Sequence, residues 1–222
     1  DADNHPDLFW AIRGGGGNFG VVTRFKFRLH PVDRIVGGIL VLPASADVIS
    51  RFAAAAEAAP DELSVIANVM TAPPMPFVPE AYHGQLILFG LFVYVGETEA
   101  GEQAISPFRA LAEPISDMIR PMRYVEMFPP EDEGYHPTAV GETLFINHID
   151  LDEAETIMKF LNASNAPMRV AQVRILGGEV SRIRDEATAY AHRQAKIMVN
   201  VAAFYENPDM KAARQAWVSE FA

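Results

Sequence analysis

Five glycines fall within seven residues near the start of the chain: Gly14, Gly15, Gly16, Gly17 and, after Asn18 and Phe19, Gly20. Lacking a Cβ, such a backbone lets a ligand or a neighbouring segment come unusually close. Val21 and Val22 follow, so Gly14 to Val22 is the first candidate for a ligand-contacting loop. A phosphate loop would continue into Gly-Lys-Ser/Thr, and none does here. A dinucleotide fingerprint would have a strand before the glycines and a helix after them. Instead Phe25 and Phe27 alternate with Lys26 and Arg28, the period of a strand. Two simpler readings stand beside ligand contact: a tight flexible loop, and a turn at Asn18-Phe19-Gly20. A phosphate-binding enzyme using Gly14 to Gly17 stays as an alternative and predicts nucleotide affinity.

Other reactive groups are sparse. There is no cysteine, which excludes disulfides, thiolate catalysis and Cys-based metal sites. The histidines His5, His30, His83, His136, His148 and His192 form no close ligand pair on one helix face, so no metal site is assigned. Glu131-Asp132-Glu133 reads as a solvated loop, with weak divalent-cation binding as its alternative. His148 beside Asp150 reads as a helix-entry detail, Gly177-Gly178 as a strand break, and His192-Arg193 as a pair tying down a loop. Phe89, Phe92, Tyr94, Met198 and Phe204 read first as core.

The elements that must position these groups follow from periodicity. Strands are predicted at Val21 to Leu29, Ile35 to Leu42, Leu63 to Thr71, Gln85 to Val95, Glu142 to His148, Met168 to Leu176 and Ile197 to Tyr205. A short edge strand is expected at Tyr124 to Met127. Helices are predicted at Ala46 to Ala59, capped by Ser45, at Glu99 to Leu111, at Asp152 to Asn162, and at Asp209 to Phe221 after Pro208. Pro73, Pro74, Pro76 and Pro79 make 72–84 an irregular loop, and 129–138 is a second, polar one. The order predicts an α+β fold, an antiparallel or mixed sheet with helices packed on one face. The chain has 222 residues, half of them hydrophobic, enough for one domain with a core. A net charge of −11 without Lys/Arg clusters argues against nucleic acid and anionic membrane surfaces. No signal peptide or membrane span is visible. The chain therefore reads as soluble; a cytoplasmic setting fits, although a lack of cysteine suits either side of a membrane.

The run Asp7-Leu8-Phe9-Trp10-Ala11-Ile12-Arg13-Gly14 through Thr23 resembles the FAD-linked oxidases of the berberine bridge enzyme type, in the vanillyl-alcohol oxidase class. The segments 58–63, 71–74, 176–183 and 187–193 resemble that family's substrate domain, so the likeness covers the whole chain. The resemblance implies that Gly14 to Val22 contacts FAD. It implies that residues 1–29 are the tail of a flavin-binding domain with its connecting strand, and 30–222 a substrate-binding domain. It further implies that a strand matched by Lys196 to Ala203 faces the flavin, placing Met198 and Asn200 against substrate. Several family members carry an acid-base or polar contact where Asn200 stands. An amide is no general base, but it orients a hydroxyl. The implied activity is oxidation of an alcohol, sugar-like or polycyclic small molecule by hydride transfer to FAD. The family's flavin-binding domain and its tyrosine-rich C-terminal segment have no counterpart here, so the expectation is a piece that is inactive alone. Its expected partners are the substrate and that flavin domain, and a homodimer is compatible. The alternative is a non-catalytic small-molecule-binding or dimerisation module.

Overall fold

The computed structural model describes residues 2–128 and 137–222, so the Glu131-Asp132-Glu133 triplet lies outside the described residues. In chain order the elements are α1 (Pro6–Ala11), β1 (Arg34–Pro43), α2 (Ala46–Glu57), β2 (Leu63–Thr71), β3 (Leu86–Tyr94), α3 (Thr98–Arg109), β4 (Ser116–Asp117) and β5 (Arg120–Arg123). They continue as β6 (Ala139–Ile146), α4 (Leu151–Ala163), β7 (Arg169–Ile175), α5 (Glu179–Arg182), β8 (Ile197–Phe204) and α6 (Lys211–Phe221). The strands form one sheet in the order β4-β1-β3-β2-β7-β8-β6, with β5 also on β1. Every pairing among the described residues is antiparallel. The α+β architecture with long helices on one face is the one expected, with the sheet antiparallel throughout.

Alternation along the strands decides the two faces. Leu40, Val69, Phe92, Val173, Val199 and Val201 turn to one face, where α2, α3, α4 and α6 bring Phe52, Phe108, Leu161 and Val218 against them. Phe52, Phe92 and Phe108 meet edge to face, with ring centroids 4.9–5.9 Å apart. Helix starts are fixed by side chains. The Ser45 Oγ accepts from the Val48 N–H at 3.2 Å, and Asp150 caps α4 through the Asp152 N–H at 2.9 Å. On the opposite face the Pro-rich stretch 72–85 lays Ala72, Val78, Phe77 and Tyr82 over Ile39, Val41, Met70 and Ile87 of β1, β2 and β3.

Two expectations need correction. Residues 20–33 hold no regular structure, and Phe25 and Phe27 are 68% and 73% exposed rather than buried under helices. Their rings stack on each other, with centroids 5.5 Å apart. Alternation marks a segment able to bury one face; it does not supply the neighbouring strand that its backbone N–H and C=O groups need. The edge of β1 is already taken by β4 and β5. Likewise Tyr124–Met127 is a 3₁₀ turn and not a strand; the edge strand is Arg120–Arg123, displaced by four residues because pairing to Arg34–Gly37 sets the register. The short helix α1, absent from the sequence reading, opens on Pro6, whose fixed φ suits a first helical position.

Candidate functional site

Strand β8 shows how the open face arises. Ile197, Val199 and Val201 point to the helices and are buried, while Met198 and Asn200 are half-buried on the other side. Register then lines up polar partners across four strands. Asn68 pairs with Gln172, Gln172 with Asn200, and Asn200 with Thr143. The side chains bond in two groups, Asn68–Gln172–Arg174 and Asn200–Thr143. Gln172 Nε2 donates to Asn68 Oδ1 at 2.7 Å, and Arg174 Nε donates to Gln172 Oε1 at 2.9 Å. Asn200 Nδ2 donates to Thr143 Oγ1 at 2.9 Å and to the Glu142 carbonyl at 3.3 Å. This fixes the Asn200 amide plane and leaves its Oδ1 to accept from a ligand hydroxyl.

An aromatic shelf bounds the row at β6. The His192 ring lies flat on Phe145, 3.8 Å between centroids and 5° from parallel, with Tyr190 edge-on to it at 5.7 Å. Arg193 is buried. It donates to the Val180 carbonyl at 3.2 Å and to Thr188 Oγ1 at 2.5 Å, and its guanidinium lies 5.4 Å from the Tyr190 ring centre. The pair His192-Arg193 thus ties down the loop after β7 and presents an imidazole beside the amide row.

The same loop carries the glycine run. Trp10 Nε1 donates to the Glu186 carbonyl at 2.8 Å, and Arg13 donates to the Ala187 carbonyl at 3.2 Å. The Ala189 N–H returns a bond to the Trp10 carbonyl at 3.3 Å. Gly14 has φ +111°, and a Cβ there would fall 2.6 Å from the Tyr190 backbone. Gly14 and Gly15 are therefore small because their own chain crowds them. Gly16, Gly17 and Gly20 differ, since a Cβ at any of them would meet nothing within 4 Å. At φ +85° and +142°, Gly16 and Gly20 hold conformations that favour glycine. Asn18 and Phe19 sit in the turn Gly17–Phe19, and Phe19, Val21 and Val22 are exposed. The residues read together as one loop thus divide into two that dock on the chain and an open backbone stretch.

Two further clusters stand outside this loop. Pairing of β2 with β7 ends at Ile66 and Arg174; beyond it lies a cleft of about 590 Å³ lined by Ser64, Arg174, Gly177, Gly178 and Lys196. Arg182–Asp61 and Lys196–Glu57 ion pairs fasten the neighbouring segments. His148, Asp150 and Glu153 offer ligand atoms within 4.8 Å of one another. The two carboxylates form the capping box of α4, as the helix-entry reading expects. Hydrogen bonding with the Glu153 side chain, and next with the Asp152 N–H, holds the Asp150 carboxyl below its ordinary value.

The resemblance singled out Met198 and Asn200, which lie on this face; Asn68, Thr143, Gln172 and Arg174, which share it, were not singled out. Asn68 interrupts the apolar Ile66 and Met70 on its face of β2, but nothing local ties it to Gln172, Asn200 or Thr143.

No family model matches the chain. An FAD-linked oxidoreductase of Dictyostelium discoideum is 24% identical over 98% of this chain and 47% of its own length. An uncharacterised FAD-linked oxidoreductase of Bacillus subtilis, YgaK, is 26% identical over 97% of this chain and 47% of its own length. Among solved structures, a berberine bridge enzyme variant described as a reticuline dehydrogenase superposes with TM-score 0.78 at 17% identity, over 97% of this chain and 45% of that one. Among the described residues no helix is long and apolar enough to cross a membrane. The chain is a homologue of the FAD-linked oxidoreductases and carries the fold of berberine bridge enzyme-like oxidases, spanning about half the length of the curated relatives it matches.

Proposed function

We propose that this chain forms the substrate-binding part of an FAD-dependent oxidoreductase that oxidises an alcohol, sugar-like or polycyclic small molecule. One observation carries the reading: the loop 184–192 docks the segment that leads into an open glycine backbone and lays His192 on Phe145, beside a bonded amide row on the face opposite the long helices. The open stretch Gly16, Gly17 and Gly20 suits close approach of a planar cofactor, because no side chain or neighbouring segment fills that space. Gly14 to Val22 would form this chain's share of the FAD site, with Gly14 and Gly15 anchoring it. When bound, FAD supplies the two-electron acceptor that takes a hydride from the substrate carbon.

The chain's own residues bind and orient. Asn200, locked by Thr143, accepts the substrate hydroxyl through Oδ1, and Met198 packs one strand position away on the same face. Asn200 cannot remove the hydroxyl proton, so that proton would pass to another group. Residues 1–29 would belong with the flavin-binding part and 30–222 with the substrate part. The exposed Val21, Phe25, Phe27 and Leu29 would find in that flavin-binding part the partner strand they lack here.

Absorbance spectroscopy tests the reading. The chain alone should stay colourless with added FAD, because a single backbone loop offers few contacts. A longer gene product, including the half that the relatives have beyond this match, should be yellow and heavier by one flavin. Sub-micromolar FAD affinity of this chain alone, or a longer product without flavin, would overturn it.

A further inference from the structure

We infer that the outer edge of β6 pairs with β6 of a second copy of this chain, antiparallel about a two-fold axis at Thr143, joining two sheets into one. The two edges of the sheet differ. At one, β4 and β5 are only two and four residues long. There β5 carries Arg120, Pro121 and Arg123, residue types that keep an edge from pairing. At the other, β6 runs for eight residues, Ala139–Ile146, with no proline, lysine or arginine. Its one charged side chain, Glu142, is drawn onto α6, accepting from Gln215 Nε2 at 3.0 Å and from Ser219 Oγ. Among the described residues no strand lies beyond β6.

Register shows which backbone groups this edge presents. The Tyr205 N–H donates to the Thr138 carbonyl at 3.0 Å, and β6 and β8 continue in that register. In an antiparallel pair, residues bonded to the partner strand alternate with residues that are not. Val140, Glu142, Leu144 and Ile146 therefore turn their N–H and C=O groups to β8. Ala139, Gly141, Thr143 and Phe145 turn theirs outward, where no described strand receives them. Such a row is a template for one more strand.

The side chains of β6 suit its own copy as that strand. With the axis at Thr143, threonine meets threonine, a favourable cross-strand pair. Gly141 lies opposite Phe145 of the second copy, so that an aromatic faces a bare glycine backbone. Val140 lies opposite Ile146 of the second copy. An axis one residue earlier would set Glu142 against Glu142, and like charges directly opposite destabilise. One residue later, Gly141 would have no β6 residue opposite it. The chosen register closes ~6 main-chain bonds between the two strands. On the helix side, Leu144 and Ile146 wall an apolar groove of about 230 Å³ with Ile157, Val199 and Phe221. Val140 of the second copy comes alongside Ile146 at that groove. Each chain carries a net charge of −11, so the copies repel at long range and added salt should strengthen the pair.

Sedimentation velocity of the 222-residue chain should show monomer passing to dimer as concentration rises, with salt shifting the balance to dimer. Hydrogen exchange locates the contact. In the dimer the Gly141, Thr143 and Phe145 amides should exchange about tenfold more slowly, or slower still, than in the dilute monomer. The Val140, Glu142 and Leu144 amides, bonded to β8 already, should not change. Thr143→Arg and Thr143→Glu each set like charges across the axis and should sediment as monomers. Mixed together they should form a dimer, because opposite charges then meet there. Phe145→Lys, which puts a charge on the edge, is the further variant should changes at Thr143 disturb the fold; it should weaken association about tenfold. A chain that stays monomeric to its solubility limit overturns the inference. So does a dimer whose Gly141, Thr143 and Phe145 amides exchange as in the monomer. Amides already slow in the monomer would mean that another segment of the chain covers the edge, and overturn it too. Folded Thr143 variants that dimerise alone or fail to recombine, or a folded Phe145→Lys chain with unchanged association, would do the same.

Discussion

The helix-covered face and the open face of the sheet are built by alternate residues of the same strands, and they are satisfied in opposite ways. Toward the helices, Val199 and Val201 of β8 meet interlocking apolar side chains, and the Phe52–Phe92–Phe108 trio sits with almost no exposed surface. Toward the open side, Asn200 of the same strand meets Thr143, and Gln172 meets Asn68, through directional bonds. Apolar burial supplies stability without orientation. A bonded amide row supplies orientation and contributes little net stability, because water would have bonded those groups as well. The contrast assigns stability to one face and, on the proposed function, recognition to the other.

The widest gap between the faces should appear on truncation. Phe92→Ala removes a ring with essentially no exposed surface from the helix face and should cost about 3–5 kcal/mol in chemical denaturation. Asn200→Ala should cost about 1 kcal/mol, the net worth of a hydrogen bond. Similar costs at the two positions would break the division.

The glycine run allows the same contrast on a smaller scale. Gly14→Ala forces a Cβ against the Tyr190 backbone at φ +111°. It should cost about 1–3 kcal/mol and change Trp10 emission as α1 leaves its dock. Gly17→Ala meets open space and should stay within about 0.5 kcal/mol. In the flavin-loaded longer protein the order should invert, with Gly17→Ala lowering flavin affinity more than its small stability cost suggests. Equal thermal shifts for the two variants would show that the run does not divide as drawn.

On the open face, Asn200→Leu should lower kcat/KM of the flavin-loaded protein about five- to tenfold, as expected for one lost orienting bond. The melting temperature should fall by no more than about 2–4 °C, the equivalent of about 1 kcal/mol. A loss of thousands-fold would mean that Asn200 takes part in proton transfer after all.

Much of this frame was legible in the sequence, and the illegible parts share a cause. β1, β2, β3, β7 and β8 announce themselves as apolar runs bounded by Pro, Gly or caps. Ser45 and Asp150 mark helix starts through chemistry confined to one turn. The amide row was invisible because Asn68, Thr143, Gln172 and Asn200 become neighbours only through strand register, which no local pattern encodes. Val21 to Leu29 misled for the converse reason: its alternation is genuine, but a strand also needs an adjacent backbone, and none of the described strands pairs with it. The Tyr124–Met127 turn reads as a strand in sequence because short aromatic and β-branched runs suit both states.

A single helix cap sharpens the comparison most cleanly. Ser45 caps α2 on the helix-covered side, where its Oγ accepts from the Val48 N–H at 3.2 Å and starts the helix that delivers Phe52. Ser45→Ala leaves that N–H without a side-chain partner and should cost about 1 kcal/mol. For a domain of this size the melting temperature should fall by about 2–4 °C. Since Ser45 takes no part in the amide row, the side-chain resonances of Asn68, Gln172 and Asn200 should keep their positions. If the cap variant shifted those resonances as strongly as Gln172→Leu does, the two faces would be one coupled unit. The separation of packing from recognition across this sheet would then have to be abandoned.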